Sequence, residues 1–168
     1  MENYLVLIDG PKGAGKTTLA ELLKKNLLNT EFFRLDNERK LLERTNSIDN
    51  DNERAFQVIF EKLNRTFQQN KNVVLDSGLS EKRIGLLEHI SNENNIKVYK
   101  FALIAPYDVL HSRVLNRDES KGKDFNKERF DYTFNANQSK SFDGFSILDS
   151  SKLSPQEILD IVCSEIMN

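Results

Sequence analysis

The stretch LVLIDGPKGAGKTTLAELL, residues 5–23, constrains the fold more than any other part of the sequence. An apolar run is followed by Gly10, four further residues and then Gly15-Lys16-Thr17. This spacing fits a phosphate-binding loop, which would receive a nucleoside triphosphate. The alternative is a glycine-rich turn followed by a capping threonine. The order of apolar strand, loop and amphipathic helix favours the phosphate site, because the N-terminus of a helix offers unpaired N–H groups and a partial positive charge.

Each residue type in the loop has a chemical reason. Gly13 and Gly15 let the backbone curl so that its N–H groups converge on the β-phosphate, since a Cβ there would crowd the anion or forbid the dihedral angles. Lys16 is expected to reach the β and γ phosphates, and Thr17 to place its hydroxyl on Mg²⁺. The nucleotide-binding residues are therefore expected to be Gly10, Pro11, Lys12, Gly13, Ala14, Gly15, Lys16, Thr17 and Thr18.

Short apolar runs alternate with segments of helical periodicity, which predicts a parallel sheet covered by helices. The predicted strands are YLVLI, EFFRLD, the run within NVVLDSG that Asp76 closes, KVYKFALIA and FSILDS. The polar stretch 45–52 is expected to be an exposed loop, and the helix after it to run from Glu53 to Gln69 with an apolar stripe facing the core. Ser154 and Glu157 are expected to cap the last helix. The length of 168 residues predicts a single domain, 1–168.

Composition limits the partners of this chain. The net charge of −2 provides no overall basic field for nucleic acid or an anionic membrane. Cys163 is the only cysteine, which excludes an intrachain disulfide and a cysteine-rich zinc site. The N-terminus lacks a basic leader, and no apolar run approaches the roughly 20 residues of a membrane span. We expect a cytoplasmic protein without a membrane partner, and the oligomeric state stays open.

Two aspartates close predicted strands. Asp76 ends VVLD and Asp36 ends FFRLD, with Arg39 three residues later. Ligands of open parallel sheets bind outside the carboxyl ends of the strands, so both carboxylates are expected near the phosphate loop. Asp76 would hold Mg²⁺ directly or through water, and Asp36 would accept the proton of an attacking hydroxyl. Turn or cap roles are the structural alternatives for both residues.

Two arginines lie four residues apart in HSRVLNRD, so Arg113 and Arg117 share one face of a predicted helix. An anion between them would relieve their repulsion. We expect a lid at about 113–141 that brings both guanidinium groups to the transferring phosphoryl group. The alternative is neutralisation by Asp118 or Glu119.

Together these motifs resemble the small AAA-like P-loop kinases, which include shikimate-kinase-like and gluconate-kinase-like enzymes and the kinase domain of polynucleotide 5′-kinases. The segments that carry the resemblance are GPKGAGKTT, RLDNERK, VVLDSGLSEKR, APYDVLHSRVLNR and SILDSSKLSPQEIL. The resemblance implies an α/β P-loop NTPase fold, a three-layer sandwich with a five-stranded parallel sheet of order 2-3-1-4-5 and a helical lid. It also implies ATP and Mg²⁺ as cofactors and transfer of the γ-phosphoryl group to a small acceptor.

RLDNERK is similar to the polynucleotide 5′-kinase segment in which an aspartate serves as base and an arginine holds substrate phosphate. By this likeness Asp36 is the base and Arg39 an acceptor ligand. The catalytic residues are expected to be Lys16, Asp36, Arg113 and Arg117. Acceptor binding is expected of Asp36, Arg39 and Asp76, and metal binding of Thr17 and Asp76.

The acceptor stays open between a small metabolite, a nucleoside and a nucleotide. The chain has no continuous basic track for a polynucleotide and lacks the paired acidic motif of a shikimate kinase. It also lacks the NKxD-like element that a GTPase needs after a strand. A 5′-hydroxyl polynucleotide kinase and a regulatory NTP-binding module without an acceptor are the two alternatives.

Overall fold

All five strands belong to one parallel sheet. A computed structural model describes residues 3–167 of the chain. The elements in this part of the chain are β1 (Tyr4–Asp9), α1 (Lys16–Asn26), β2 (Thr30–Arg34), α2 (Leu35–Leu41), α3 (Ile48–Gln68), β3 (Asn72–Asp76), α4 (Glu81–Glu93), β4 (Lys97–Ile104), α5 (Tyr107–Ser120), α6 (Lys127–Gln138), β5 (Ser146–Asp149) and α7 (Pro155–Met167). The strand order is β2-β3-β1-β4-β5, which confirms the predicted order.

The chain divides into two compact units. The first comprises residues 3–8 and 24–99, and the second comprises residues 9–23 and 100–167. The single domain with a lid at 113–141 stays a prediction. Within residues 3–167, no helix has the length and apolarity needed to cross a bilayer.

The core of the first unit lies against β1 and β3. Both strands are buried along almost their whole length, which is typical of central parallel strands covered on both faces. The predicted apolar stripe of α3 packs into this core, with Phe60 half-buried at its edge. The stripe and strand residues of the core are Leu5, Leu7, Phe56, Ile59, Leu63, Phe67, Val73 and Leu75.

The second unit has its own buried residues on β4, α5 and α7. Phe101, Leu103, Leu110, Val114 and Val162 are all fully buried. The start of α7 confirms the predicted capping box. The Glu157 N–H donates to Ser154 Oγ at 3.2 Å, and the Ser154 N–H donates to Glu157 Oε2 at 2.8 Å.

The prediction of a loop over residues 45–52 is wrong, because α3 begins at Ile48. Ser47 caps the helix by accepting the Asn50 N–H at 3.3 Å. Asp49 and Asp51 occupy the first turn, where negative charge is favourable. The polar residues that suggested an exposed connection therefore form the beginning of a helix.

The end of the second predicted strand also differs from the sequence-based expectation. β2 ends at Arg34 and α2 follows without a break, so Asp36 lies in the first turn of a helix. Pro106 is the residue directly before α5. The segment after α5 contains a helix of its own, α6, which is capped by Asn126 through the Arg129 N–H at 2.8 Å.

Candidate active site

The glycine loop runs from the end of β1 to the start of α1. Lys16 is the first residue of α1, and its ammonium donates to the backbone oxygens of Gly10 at 2.7 Å and Pro11 at 3.1 Å. The Ala14 N–H donates to the same Pro11 oxygen at 3.2 Å and closes a turn. The lysine charge is thus held beside the loop that the sequence assigns to phosphate.

All three glycines of the loop have positive φ, and the surroundings of Gly13 and Gly15 differ. Gly15 has φ +99°, and a Cβ built there would meet nothing within 4 Å. Gly13 has φ +89°, and a Cβ there would lie 2.9 Å from Val114 Cγ2 and 3.0 Å from Leu110 O. At Gly13 the missing side chain therefore lets the loop approach α5, whereas Gly15 borders open space of the kind an anion needs.

A buried ion pair supports the beginning of the loop. Asp9 is the last residue of β1, and its side chain is 1% exposed. Its carboxylate accepts the Gly10 N–H at 2.6 Å and the Lys140 ammonium at 3.1 Å and 3.3 Å. Lys140 follows α6, so the ion pair ties the segment after that helix to the first residue of the loop.

We expect Lys140→Met to lower the free energy of unfolding by about 3–5 kcal/mol, because it leaves the Asp9 carboxylate buried without this partner. Chemical denaturation measures the change. Adding Asp9→Asn to Lys140→Met should restore part of the loss, since the buried charge is then gone. The matched control is Lys152→Met, an 80% exposed lysine whose pairing with Asp149 is worth less than about 1 kcal/mol. Equal effects of the two lysine variants would contradict the assignment.

The two arginines of α5 bind different partners. Arg113 donates to Ser150 Oγ at 2.9 Å, to Ser150 O at 2.7 Å and, at 3.4 Å, to Gly13 O. Arg117 donates from Nε and Nη2 to Asp118 Oδ1 at 3.0 Å and 2.8 Å. The alternative considered for these arginines, neutralisation by Asp118, is therefore present for Arg117. Arg113 instead joins α5 to the glycine loop and to the loop after β5.

Asp118 forms ion pairs with two cations near the C-terminal end of α5. Its carboxylate also lies 3.9 Å from the Lys12 ammonium of the glycine loop. Burial raises the pKa of Asp118, but the hydrogen bond from Arg117 and the charges of Arg117 and Lys12 outweigh it, so the pKa lies below its ordinary value. Asp118 is therefore ionised at neutral pH and available to both cations.

An aromatic cluster joins α5 to α6 across the predicted lid. Its rings belong to Tyr107, His111, Phe125, Phe130 and Phe134, with neighbouring centroids 4.8 to 6.4 Å apart. The Tyr107 hydroxyl and the Lys127 ammonium both donate to Asp131 at 2.5 Å. The hydrogen bonds from Lys127 and Tyr107 lower the pKa of Asp131. The lid function of this segment stays a prediction.

In the first unit, Asp76 is buried beside an arginine that the sequence analysis missed. Arg34 and Asp76 are register partners at the ends of β2 and β3. Arg34 Nε donates to Asp76 Oδ2 at 2.8 Å, and the Asp76 side chain is 6% exposed. The predicted strand order makes the two strands neighbours, but the expected strand end at Asp36 in place of Arg34 hid this pairing.

Asp36 and Arg39 contact each other directly. Arg39 Nη2 donates to Asp36 Oδ1 at 2.7 Å, and Arg39 Nη1 donates to Asn52 Oδ1 of α3 at 3.0 Å. The Asp36 side chain is 64% exposed. The proposed base and the proposed acceptor ligand therefore form one exposed ion pair, which α3 orients through Asn52.

The predicted site residues are divided between the units. The glycine loop, Arg113 and Arg117 belong to the second unit, and Asp36, Arg39 and Asp76 belong to the first. Sequence reasoning missed Asp9, Arg34 and Lys140. Asp9 was recognisable as an acid directly before the first loop glycine. Nothing in the mixed polar segment 119–141 singled out Lys140, which lies 131 residues from its partner.

A parallel sheet whose first strand leads through a glycine loop into a helix beginning with lysine defines a P-loop NTPase. The chain belongs to the AAA domain family, whose model matches residues 6–133. No curated protein matches the sequence.

Three solved structures are similar over almost all of the chain or most of it. A provisionally assigned kinase from Chloroflexus aurantiacus J-10-fl has a TM-score of 0.78 at 14% identity, covering 99% of this chain and 98% of its own. A sugar kinase from Janibacter sp. HTCC2649 has a TM-score of 0.67 at 16% identity, covering 96% and 93%. A chain of the Pnkp1/Rnl/Hen1 RNA repair complex has a TM-score of 0.68 at 18% identity, covering 82% and 44%. These likenesses define a kinase-like P-loop fold.

Proposed function

We propose that this chain is an ATP-dependent phosphotransferase that moves the γ-phosphoryl group of ATP to a hydroxyl of a small acceptor. The observation that carries the proposal is the loop at the start of α1, where Gly15 borders open space and Lys16 is held by loop carbonyls. Membership in the AAA domain family and kinase-like structural neighbours support the choice of reaction.

In the proposed reaction the acceptor oxygen attacks the γ-phosphorus, a P–O bond forms, and the bond to the β–γ bridging oxygen breaks. ADP leaves with that electron pair, and the hydroxyl proton passes to the Asp36 carboxylate. Lys16 and Arg113 stabilise the phosphoryl charge. Arg117 does the same after exchanging the Asp118 carboxylate for phosphate oxygens, which replaces one anion with another.

Two side chains suit Mg²⁺, which takes oxygen ligands and usually keeps several waters. The Thr17 hydroxyl is exposed in the first turn of α1, and Asp76 supplies a carboxylate at the end of β3. We propose the Thr17 hydroxyl as one Mg²⁺ ligand and the Asp76 carboxylate as another. Mg²⁺, when bound with the nucleotide, would neutralise charge on the phosphates.

The proposal is tested by transfer from labelled ATP to pooled metabolites, nucleosides and 5′-hydroxyl oligonucleotides. A labelled small product is the expected result. Label on the oligonucleotide alone would support a 5′-hydroxyl polynucleotide kinase, for which the likeness to an RNA repair complex is the specific support. Slow hydrolysis without any labelled acceptor, together with nucleotide-dependent partner binding, would favour a regulatory module.

ATP with Mg²⁺ is expected to raise the melting temperature by about 5–10 °C at a concentration near 100 times its Kd. The reason is mass action, since the unfolded chain does not present the loop. Thermal denaturation monitored by circular dichroism measures the shift. Adenosine, which lacks the phosphates, is the control and should give a much smaller shift. An unchanged melting curve at millimolar ATP would contradict nucleotide binding.

A further inference from the structure

The first unit contains a cavity of about 280 Å³ that none of the predicted site residues line. The first turns of α3 contribute Asp49, Asn52 and Glu53, and the start of α4 contributes Ser80, Lys82, Arg83 and Leu86. Its volume lies just below the range for small-molecule sites, roughly 300–1,000 Å³. It is therefore suited to one small molecule. We propose that it is the acceptor pocket and that the acceptor is polyhydroxylated, a sugar or a polyol, which rests on the proposed phosphotransferase function.

The side chains that line the pocket include hydrogen-bond donors and hydrogen-bond acceptors beside one another. Asp49 and Glu53 offer carboxylates that only accept, and Lys82 and Arg83 carry groups that only donate. The Asn52 amide and the Ser80 hydroxyl can do both. A hydroxyl group also donates and accepts, so adjacent hydroxyls on a small ring or chain match this lining. A phosphate accepts only and would leave the carboxylates opposed by like charge.

The lining also argues against a nucleobase. Among the described residues that line the cavity, Leu86 is the only one with an apolar side chain, and none has an aromatic ring. The nearby Phe56 ring is covered by the Arg83 guanidinium, 4.9 Å from its centroid. A planar base would have no ring on which to stack.

Arg83 is held in place before any ligand arrives. Its Nη2 donates to Glu53 Oε2 at 3.2 Å, its side chain is 15% exposed, and its guanidinium lies over Phe56. Fixing a long side chain in this way reduces the entropy that ligand binding would otherwise cost. The Glu53 and Arg83 pair thus presents an acceptor and donors side by side, with the arginine held by its contacts.

Asn52 links the pocket to the proposed base. It lines the cavity and also accepts from Arg39, which in turn binds Asp36. A sugar held by Asn52 and Glu53 would therefore touch the same side-chain network that orients the Asp36 carboxylate. This connection is the reason for assigning the pocket to the acceptor.

The test is direct binding without nucleotide. The full chain is titrated by ligand-observed NMR with D-pentoses, D-hexoses, their alditols and the inositols, with adenosine and a 5′-hydroxyl oligonucleotide as the competing classes. At least one sugar or polyol is expected to bind. Glu53→Gln should weaken its binding about tenfold or more, because the amide keeps the shape but donates where a hydroxyl proton is offered.

Variants at exposed positions of α3 supply the controls. Glu61→Gln is the control for Glu53→Gln, because it also replaces a carboxylate with an amide but does not line the cavity. Arg65→Leu is the corresponding control for Arg83→Leu. Both controls should bind the sugar like the unmodified chain. Melting temperatures check that each variant is folded. If Arg83→Leu does not fold, the comparison of Glu53→Gln with Glu61→Gln is the test.

Three results would overturn the pocket assignment. The first is equal sugar binding by Glu53→Gln and Glu61→Gln. The second is binding of adenosine or the oligonucleotide that is weakened by Glu53→Gln. The third is no binding of any sugar or polyol while ATP still raises the melting temperature. Sugar binding that is lost in Glu53→Gln supports the pocket even where labelled ATP gives no product. In that case the phosphotransferase proposal alone fails.

Discussion

Lys16→Ala is expected to reduce triphosphate turnover to background while the chain stays folded. The Lys16 ammonium is bonded to two carbonyl oxygens of the glycine loop at the start of α1. In the proposed reaction this cation contacts the β and γ phosphates. The Lys16 side chain is only half-buried, so its truncation removes little packing from the core. Release of labelled phosphate measures turnover, and circular dichroism measures folding.

Lys25→Ala is the matched control for this variant. Lys25 is an exposed lysine in the last turn of the same helix, so its replacement changes the net charge equally without affecting the loop. The control should keep normal turnover. Normal turnover in Lys16→Ala would refute the phosphate-loop assignment, and loss of turnover in both variants would show a nonspecific charge effect.

Asp36→Asn is expected to lower phosphoryl transfer by roughly 10²- to 10⁴-fold, the range for loss of a positioned general base, with little change in ATP affinity. Asparagine keeps the size of the side chain and an oxygen for Arg39, but it cannot take a proton. Transfer of label from ATP to the acceptor measures the first quantity, and the ATP-dependent melting shift reports the second.

The outcome separates three roles for Asp36. Lost stability with normal turnover per folded molecule would indicate a cap at the start of α2. A milder loss than predicted would fit a loose transition state, in which the proton moves late. If Asp36→Asn keeps full transfer and Asp76→Asn does not, Asp76 is the base and the picture of the Asp36 and Arg39 pair is wrong.

Much of the fold could be predicted because local sequence and tertiary structure agree. The apolar runs of β1 and β3 are buried on both faces, so their pattern directly reflects their place in a parallel sheet. The start of α3 was missed for the opposite reason. Ser47, Asp49 and Asp51 are as typical of a loop as of a helix N-terminus. Only tertiary contacts, such as the bond that Arg39 of α2 donates to Asn52 Oδ1 at 3.0 Å, decide between them.

The candidate site was predictable where the chemistry lies in consecutive residues. Gly15 and Lys16 are defined by a short motif, whereas Lys140 and Arg83 acquire their roles through partners distant in the sequence. Arg83 resembles any exposed charge at the start of a helix until its contacts with Glu53 and Phe56 are known. Charge and periodicity alone could not distinguish it from Lys82.

The interleaving of the two units has a consequence for synthesis on the ribosome. The first unit is complete once residue 99 has emerged, whereas the glycine loop at residues 10–15 belongs with residues 100–167. Emergence at about 5–20 residues per second leaves the loop exposed for seconds before Lys140, 131 residues after Asp9, can pair with it. A nascent chain stalled before that lysine would carry a finished first unit and a glycine loop whose Asp9 carboxylate still lacks the Lys140 ammonium.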